Sequence, residues 1–233
     1  MSVALITGGS RGLGLALARA LAERGWSLVL DARGAADLEA ARAELARRTA
    51  VTVLAGDVSD PAHRRALVDA ATAAGRLDLL VNNASTLGAT PRPRLDAYPL
   101  GALETVYRAN VIAPLGLVQL ALPALRAARG RVLNVTSDAA VEPYAAWGGY
   151  GSSKAALEQL TAVLAAEEPG LRVYHVDPGD MRTRMHQEAF PGEDISDRSP
   201  PEASVPGLLA LIEGDLPSGR YRARELAPAE AWP

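Results

Sequence analysis

The chain of 233 residues contains no cysteine, which excludes disulfides, thiolate metal sites and cysteine nucleophiles together and is compatible with a cytoplasmic location. Its formal net charge of −3 lacks the positive excess that phosphate-backbone contacts favour, so nucleic acid is not expected as a partner. No single-sign charge run, internal repeat or linker is present, and the composition is not that of a membrane or low-complexity chain. The three histidines, His63, His175 and His186, lie far apart without cysteine or HExxH-type company, and no metal is expected. With an apolar, β-prone run starting at Val3, no signal or transit peptide is expected.

Two residue types are almost missing. Among the 24 basic residues one is lysine, Lys154, and asparagine occurs at Asn82, Asn83, Asn110 and Asn134 alone. Codon bias in a GC-rich genome accounts for such depletion in general, and selection against thermolabile amides adds to it. A lysine that survives this pressure is a candidate for chemistry arginine cannot perform, because a guanidinium is a rigid fork and an ammonium a compact, tunable point charge.

What remains is a globular composition, 48% hydrophobic and 22% charged with a mean hydropathy of +0.04, of a length that suits one α/β domain over residues 1–233. Strand-like runs recur at 3–7, 27–31, 51–55, 77–81, 131–136 and 171–176, with alanine- and leucine-rich helical stretches between them. This alternation is that of a parallel sheet with crossover helices. Leu13, Leu17 and Leu21 give the first helix one apolar face, closed by Gly25, and Asp60 with Pro61 marks another helix start. Residues 181–206 are polar, proline-rich and aperiodic, which predicts a long loop or short mobile helix acting as a substrate lid. Arg220, Arg222 and Arg224 alternate as on a short last strand with one charged face.

Directly after the first strand comes Thr7-Gly8-Gly9-Ser10-Arg11-Gly12-Leu13-Gly14. Glycines there let the backbone turn sharply and approach a pyrophosphate, whose charge meets helix N-terminal amides. Here the chain resembles the short-chain dehydrogenases/reductases, whose turn reads T-G-x-x-x-G-x-G. Tyr150-Gly151-Ser152-Ser153-Lys154 matches that family's Y-x-x-x-K, with Ser137 thirteen residues before the tyrosine. Asn82-Asn83-Ala84-Ser85 is similar to N-N-A-G with its glycine replaced. Asp57-Val58, Asn110-Val111 and the Pro178-Gly179 to Thr183 stretch match further family motifs in order.

The resemblance implies a doubly wound α/β fold of strand order 3-2-1-4-5-6-7 and an oxidoreductase acting on a small carbonyl or alcohol. It also implies a homodimer or homotetramer. It assigns catalysis to Asn110, Ser137, Tyr150 and Lys154. Cofactor contacts fall to the turn (Thr7, Gly8, Ser10, Arg11, Gly12, Leu13, Gly14), then Arg33, Asp57, Val58, Asn83 and Ala84. Tyr150, Lys154, Pro178, Gly179 and Thr183 complete the set. In that reading Tyr150 exchanges a proton with the substrate oxygen, and Lys154, one helical turn on, favours the phenolate. Ser85 is expected near the nicotinamide-side floor. Substrate choice is expected from Asp138, Glu142, Tyr144, Trp147, Met181 and Met185.

Two arginines, Arg11 and Arg33, stand where the adenosine ribose belongs, and an arginine there accepts the 2′-phosphate of NADP. Asp31 competes as a ribose ligand of the NAD type, but by the resemblance the family's NAD-selecting acid corresponds to Ala32, one position later, and alternation is then expected to turn Asp31 away from the ribose face. NADP(H) is therefore expected over NAD(H). The alternative is a protein that senses NADP(H) without turnover, for which an intact Ser137, Tyr150 and Lys154 have no purpose.

Overall fold

The computed structural model describes residues 1–226. Seven parallel strands form one sheet: β1 (Val3–Ile6), β2 (Ser27–Ala32), β3 (Val51–Ala55), β4 (Leu79–Asn82), β5 (Arg131–Val135), β6 (Arg172–Asp177) and β7 (Gly219–Arg222). Their order is β3-β2-β1-β4-β5-β6-β7, as the sequence leads one to expect. The order reverses between β1 and β4, and ligands of open α/β sheets bind beyond the carboxyl ends of strands at such a switch point.

The central strands are apolar throughout because helices cover both faces; all four residues of β1 are buried. On one face α1 (Gly12–Glu23), α2 (Ala35–Leu45) and α8 (Val205–Glu213) share a core with alternate strand residues. On the other, α3 (Pro61–Thr72) and α5 (Ala113–Ala128) pack over Leu5, Leu80 and Val132. The Asp60 carboxylate accepts the Ala62 amide at 2.9 Å and Pro61 fills the first helical position, so that expected helix start is present.

Between α4 (Leu100–Tyr107) and α5 the helix continues through a π-helical turn, Arg108–Ile112, which carries Asn110. The run Leu100–Ala128 is apolar and long enough to cross a bilayer by length and composition. Its Val106, Leu117, Val118, Ala121 and Leu125 are buried in the domain.

The segment 181–206 is more ordered than its composition suggests. It holds α7 (Arg184–Ala189), capped by the Thr183 hydroxyl accepting the His186 amide at 3.2 Å, and a 3₁₀ turn at Pro201–Ser204. Val205 and Pro206 open α8, which packs against α1. The alternation expected at the tail ends at Arg222, because Arg224 lies on α9 (Ala223–Leu226). Arg220 is half-buried and paired with Glu158 rather than solvated.

Candidate active site

The glycine turn is built from behind by side chains that meet no ligand. The Thr7 hydroxyl donates to the Val81 carbonyl at 3.2 Å and accepts the amides of Asn83 and Ala84, each at 3.0 Å. Asn83 Nδ2 donates in return to the carbonyls of Thr7 and Gly8, at 2.8 and 3.1 Å. Gly8 and Gly12 adopt φ of +66° and +55°, where a side chain would be strained. A Cβ on Gly14 would stand 2.3 Å from the Gly8 carbonyl oxygen. Thr7 and Gly14 thus shape the turn without lining the cleft, whereas Gly8, Ser10, Arg11, Gly12, Leu13, Asn83 and Ala84 face it.

The cleft encloses about 830 Å³. At one end lie Asp57, Val58, Arg11 and Arg33. Neither arginine is paired with a carboxylate among the described residues, so both guanidinium groups are available to a 2′-phosphate. Asp31 is 1% exposed: one carboxylate oxygen accepts the Gly8 amide at 2.9 Å and the other lies 3.2 Å from His63 Nε2. Burial raises its carboxyl above the usual range, and the bonds from Gly8 and His63 oppose that shift. Asp31 lines the cleft together with Ala32, so alternation does not turn it away as expected; its two oxygens are instead engaged by Gly8 and His63. Glycines at the turn and free cations at the ribose position fit an adenine dinucleotide.

Over the turn folds the loop after β6. Gly179, at φ +74°, donates its amide to Asp177 at 2.9 Å, and the Thr183 methyl lies 3.6 Å from where a Gly12 Cβ would stand. Pro178, Gly179 and Thr183 all line the cleft.

At the other end α6 (Gly148–Glu167) presents Tyr150 and Lys154 one turn apart. Burial pushes the Tyr150 phenol well above its ordinary value; the hydroxyls of Ser137 and Ser85 pull it down. Lys154 is 2% exposed, with Nζ donating to the Val135 carbonyl at 2.8 Å and lying 5.6 Å from the centre of the Tyr150 ring. Burial lowers its ammonium to about 8 and Glu158 opposes the shift. Burial is the largest influence on Tyr150 and favours its protonated form. Ser137 Oγ donates to Asp138 at 2.8 Å and accepts the Ala139 amide at 3.2 Å.

Asn110 is buried behind the cleft wall. Its Nδ2 donates to the Thr86 carbonyl at 2.9 Å and to Ser153 Oγ at 3.0 Å, and its Oδ1 accepts from the Thr86 amide and Ser85 Oγ at 2.9 and 3.1 Å. It clips the loop after β4 to α6. Ser85 lines the cleft with its hydroxyl turned to Asn110 and the tyrosine, so it belongs to the end that holds Tyr150.

The outer wall is aromatic. Trp147 lies 5.7 Å from the Tyr150 ring and 6.0 Å from that of Phe190, and the Arg92 guanidinium rests over both Trp147 and Phe190, at 4.0 and 4.6 Å. Tyr144 donates to Asp138 at 2.9 Å. Met181 and Met185 line the wall as expected; Glu142 does not, being turned to solvent. His186 lines it too, and so do Phe190 and Leu87, which were not singled out in the sequence because nothing local distinguishes them from core or surface positions.

Over residues 2–194 the chain matches the short chain dehydrogenase family. It belongs to the short-chain dehydrogenases. This short-chain dehydrogenase is accordingly an oxidoreductase. It is 33% identical to the rhamnolipids biosynthesis 3-oxoacyl-[acyl-carrier-protein] reductase of Pseudomonas aeruginosa, over 97% of this chain and 86% of that one. It is 34% identical to mouse sepiapterin reductase, over 81% and 77%. Among solved structures, the alcohol dehydrogenase of Thermococcus sibiricus, complexed with 5-hydroxy-NADP, superposes with a TM-score of 0.87 at 27% identity, covering 95% of each chain.

Proposed function

We propose that this short-chain dehydrogenase reduces a carbonyl, or oxidises the corresponding secondary alcohol, with NADP(H), and that Tyr150 exchanges the proton. The observation that carries the reading is the convergence of the Tyr150 and Ser137 hydroxyls at one end of a cleft whose other end is a glycine turn. A bound NADPH supplies the hydride. Tyr150 holds the proton that the reduced oxygen takes up, and its raised value keeps it protonated at neutral pH. Ser137 holds the substrate oxygen, Lys154 meets the ribose hydroxyls, and Asn110 keeps loop and helix in register. The wall of Trp147, Tyr144, Met181, Met185 and Phe190 supports a bulky apolar or aromatic carbonyl as substrate, with 181–206 as its lid.

Tyr150→Phe tests this. On a panel of aldehydes, ketones and sugar-like carbonyls followed by NADPH absorbance, kcat on the best substrate falls by about 10²–10⁴-fold while NADPH binding by fluorescence is unchanged. A variant retaining about a tenth of wild-type kcat overturns the assignment. No feature of the cleft favours the sensor alternative.

A further inference from the structure

Behind the cleft wall, buried charge gathers where α6, β5, β6 and β7 meet. Lys154 and Glu158 stand one turn apart on the inner face of α6, both buried. Their partners are successive residues leaving β5: Lys154 Nζ donates to the Val135 carbonyl at 2.8 Å, and Thr136 Oγ1 donates to Glu158 Oε1 at 2.7 Å. The third residue is Ser137, and its carbonyl accepts Arg220 Nη2 from β7 at 3.4 Å. Arg220 closes the circuit, with Nε donating to Glu158 at 3.0 Å and Nη2 lying 3.7 Å from Asp177 at the end of β6. A buried ion pair of this kind costs desolvation, and this one is held by polar contacts from three strands' ends, an arrangement that points to a use.

We propose that the Glu158–Arg220 pair sets the charge and position of the catalytic end: Glu158 holds Lys154 as an ammonium, and Arg220 restrains that carboxylate and fixes the backbone of Ser137. Both are positioning residues, and the inference rests on the reading of Lys154 and Ser137 given above. The ionisable groups of the cluster are Tyr150 and Glu158 beside Lys154 on α6, then Asp138 after β5, His175 and Asp177 on β6 and Arg220 on β7, which face Tyr150 or Glu158. Burial opposes the ammonium and Glu158 favours it. Removing Glu158 therefore makes Lys154 lose its proton more readily; removing Arg220 leaves two carboxylates uncompensated and makes it hold the proton longer. Removing both restores the original net charge of the cluster.

Because the chain has a single lysine, protein carrying ¹³Cε-lysine gives one side-chain resonance whose titration reads Lys154 directly, with no ligand and no turnover. Wild type is expected to titrate near 8. Glu158→Gln, which keeps an acceptor for Thr136 and Arg220, moves the midpoint down by about one unit, and Arg220→Met moves it up by about half to one unit. The double variant returns toward wild type. A purely structural role predicts no opposed shifts and a double variant worse than either single one. If Arg220→Met does not fold, Glu158→Gln decides alone, and an unmoved midpoint in it overturns the proposal. Turnover retained by Tyr150→Phe would defeat the functional reading while leaving this titration intact.

Discussion

At the scale of single residues, the proposed cofactor preference rests on Arg33. It is exposed in the cleft and unpaired among the described residues, while Asp31 is tied to Gly8 and His63. A charge-assisted contact to a phosphate is worth about 1.5–3 kcal/mol. Wild type is expected to prefer NADPH over NADH at least about tenfold in kcat/KM, and Arg33→Ala to lose most of that ratio with NADH kinetics unchanged. Preference for NADH in the wild type refutes it.

Lys154 shows the opposite bargain, function held at the expense of stability. Its ammonium is depressed from 10.5 to about 8. Below pH 8 the folded chain must carry a buried charge that the unfolded chain carries freely. Between 8 and 10.5 the unfolded chain binds the proton and the folded one does not, so this penalty fades as pH rises. Lys154→Met is expected to gain about 1–3 kcal/mol in urea unfolding at pH 7, less at pH 10, while losing turnover. A variant less stable than wild type at pH 7 contradicts this. Tyr150, Lys154 and the glycines were legible in the sequence because their spacing is local. The Asp31–His63 and Glu158–Arg220 pairs were not: their partners stand 32 and 62 residues apart, and nothing but the strand order brings them together.

Among the elements, α6 carries most of the site. Tyr150, Lys154 and Glu158 share one face at successive turns, so a single helix fixes proton donor, cation and counter-charge relative to β5. Periodicity exposes the first pair, but Glu158 resembles any solvated glutamate until the sheet is assembled beneath it. The π-helical turn was likewise hidden. An extra residue in a helical turn leaves an apolar pattern almost unchanged, yet it sets Asn110 against both Thr86 and Ser153. In the segment after β6, proline content suggested a loop; the Thr183 cap and the ring of Phe190 against Trp147 supply order that composition does not show. The strands were read well except at their ends, as at Ala32 and Asp177, which each pair one residue beyond the expected span.

For the whole molecule, the cleft lies beyond the strand ends at the switch point between β1 and β4, while the helical flank opposite the α1 layer keeps apolar side chains in water. Ile112, Leu115 and Val163 are exposed there on adjoining elements. Apolar side chains grouped in this way suit a second copy of the chain. Light scattering after gel filtration is expected to give a dimer or tetramer of the 24.3 kDa chain, and Leu115→Asp to shift it toward monomer; a monomeric wild type at about 10 μM removes the expectation.

The burial of Lys154, the one lysine in the chain, reaches beyond catalysis. A surface whose side-chain cations are all guanidinium groups offers no lysine to acylating reagents, so coupling to an activated ester at this residue can proceed only when the cleft opens far enough to admit the reagent. Acylation of that one peptide, followed by mass spectrometry, is then a clock for the breathing of the site.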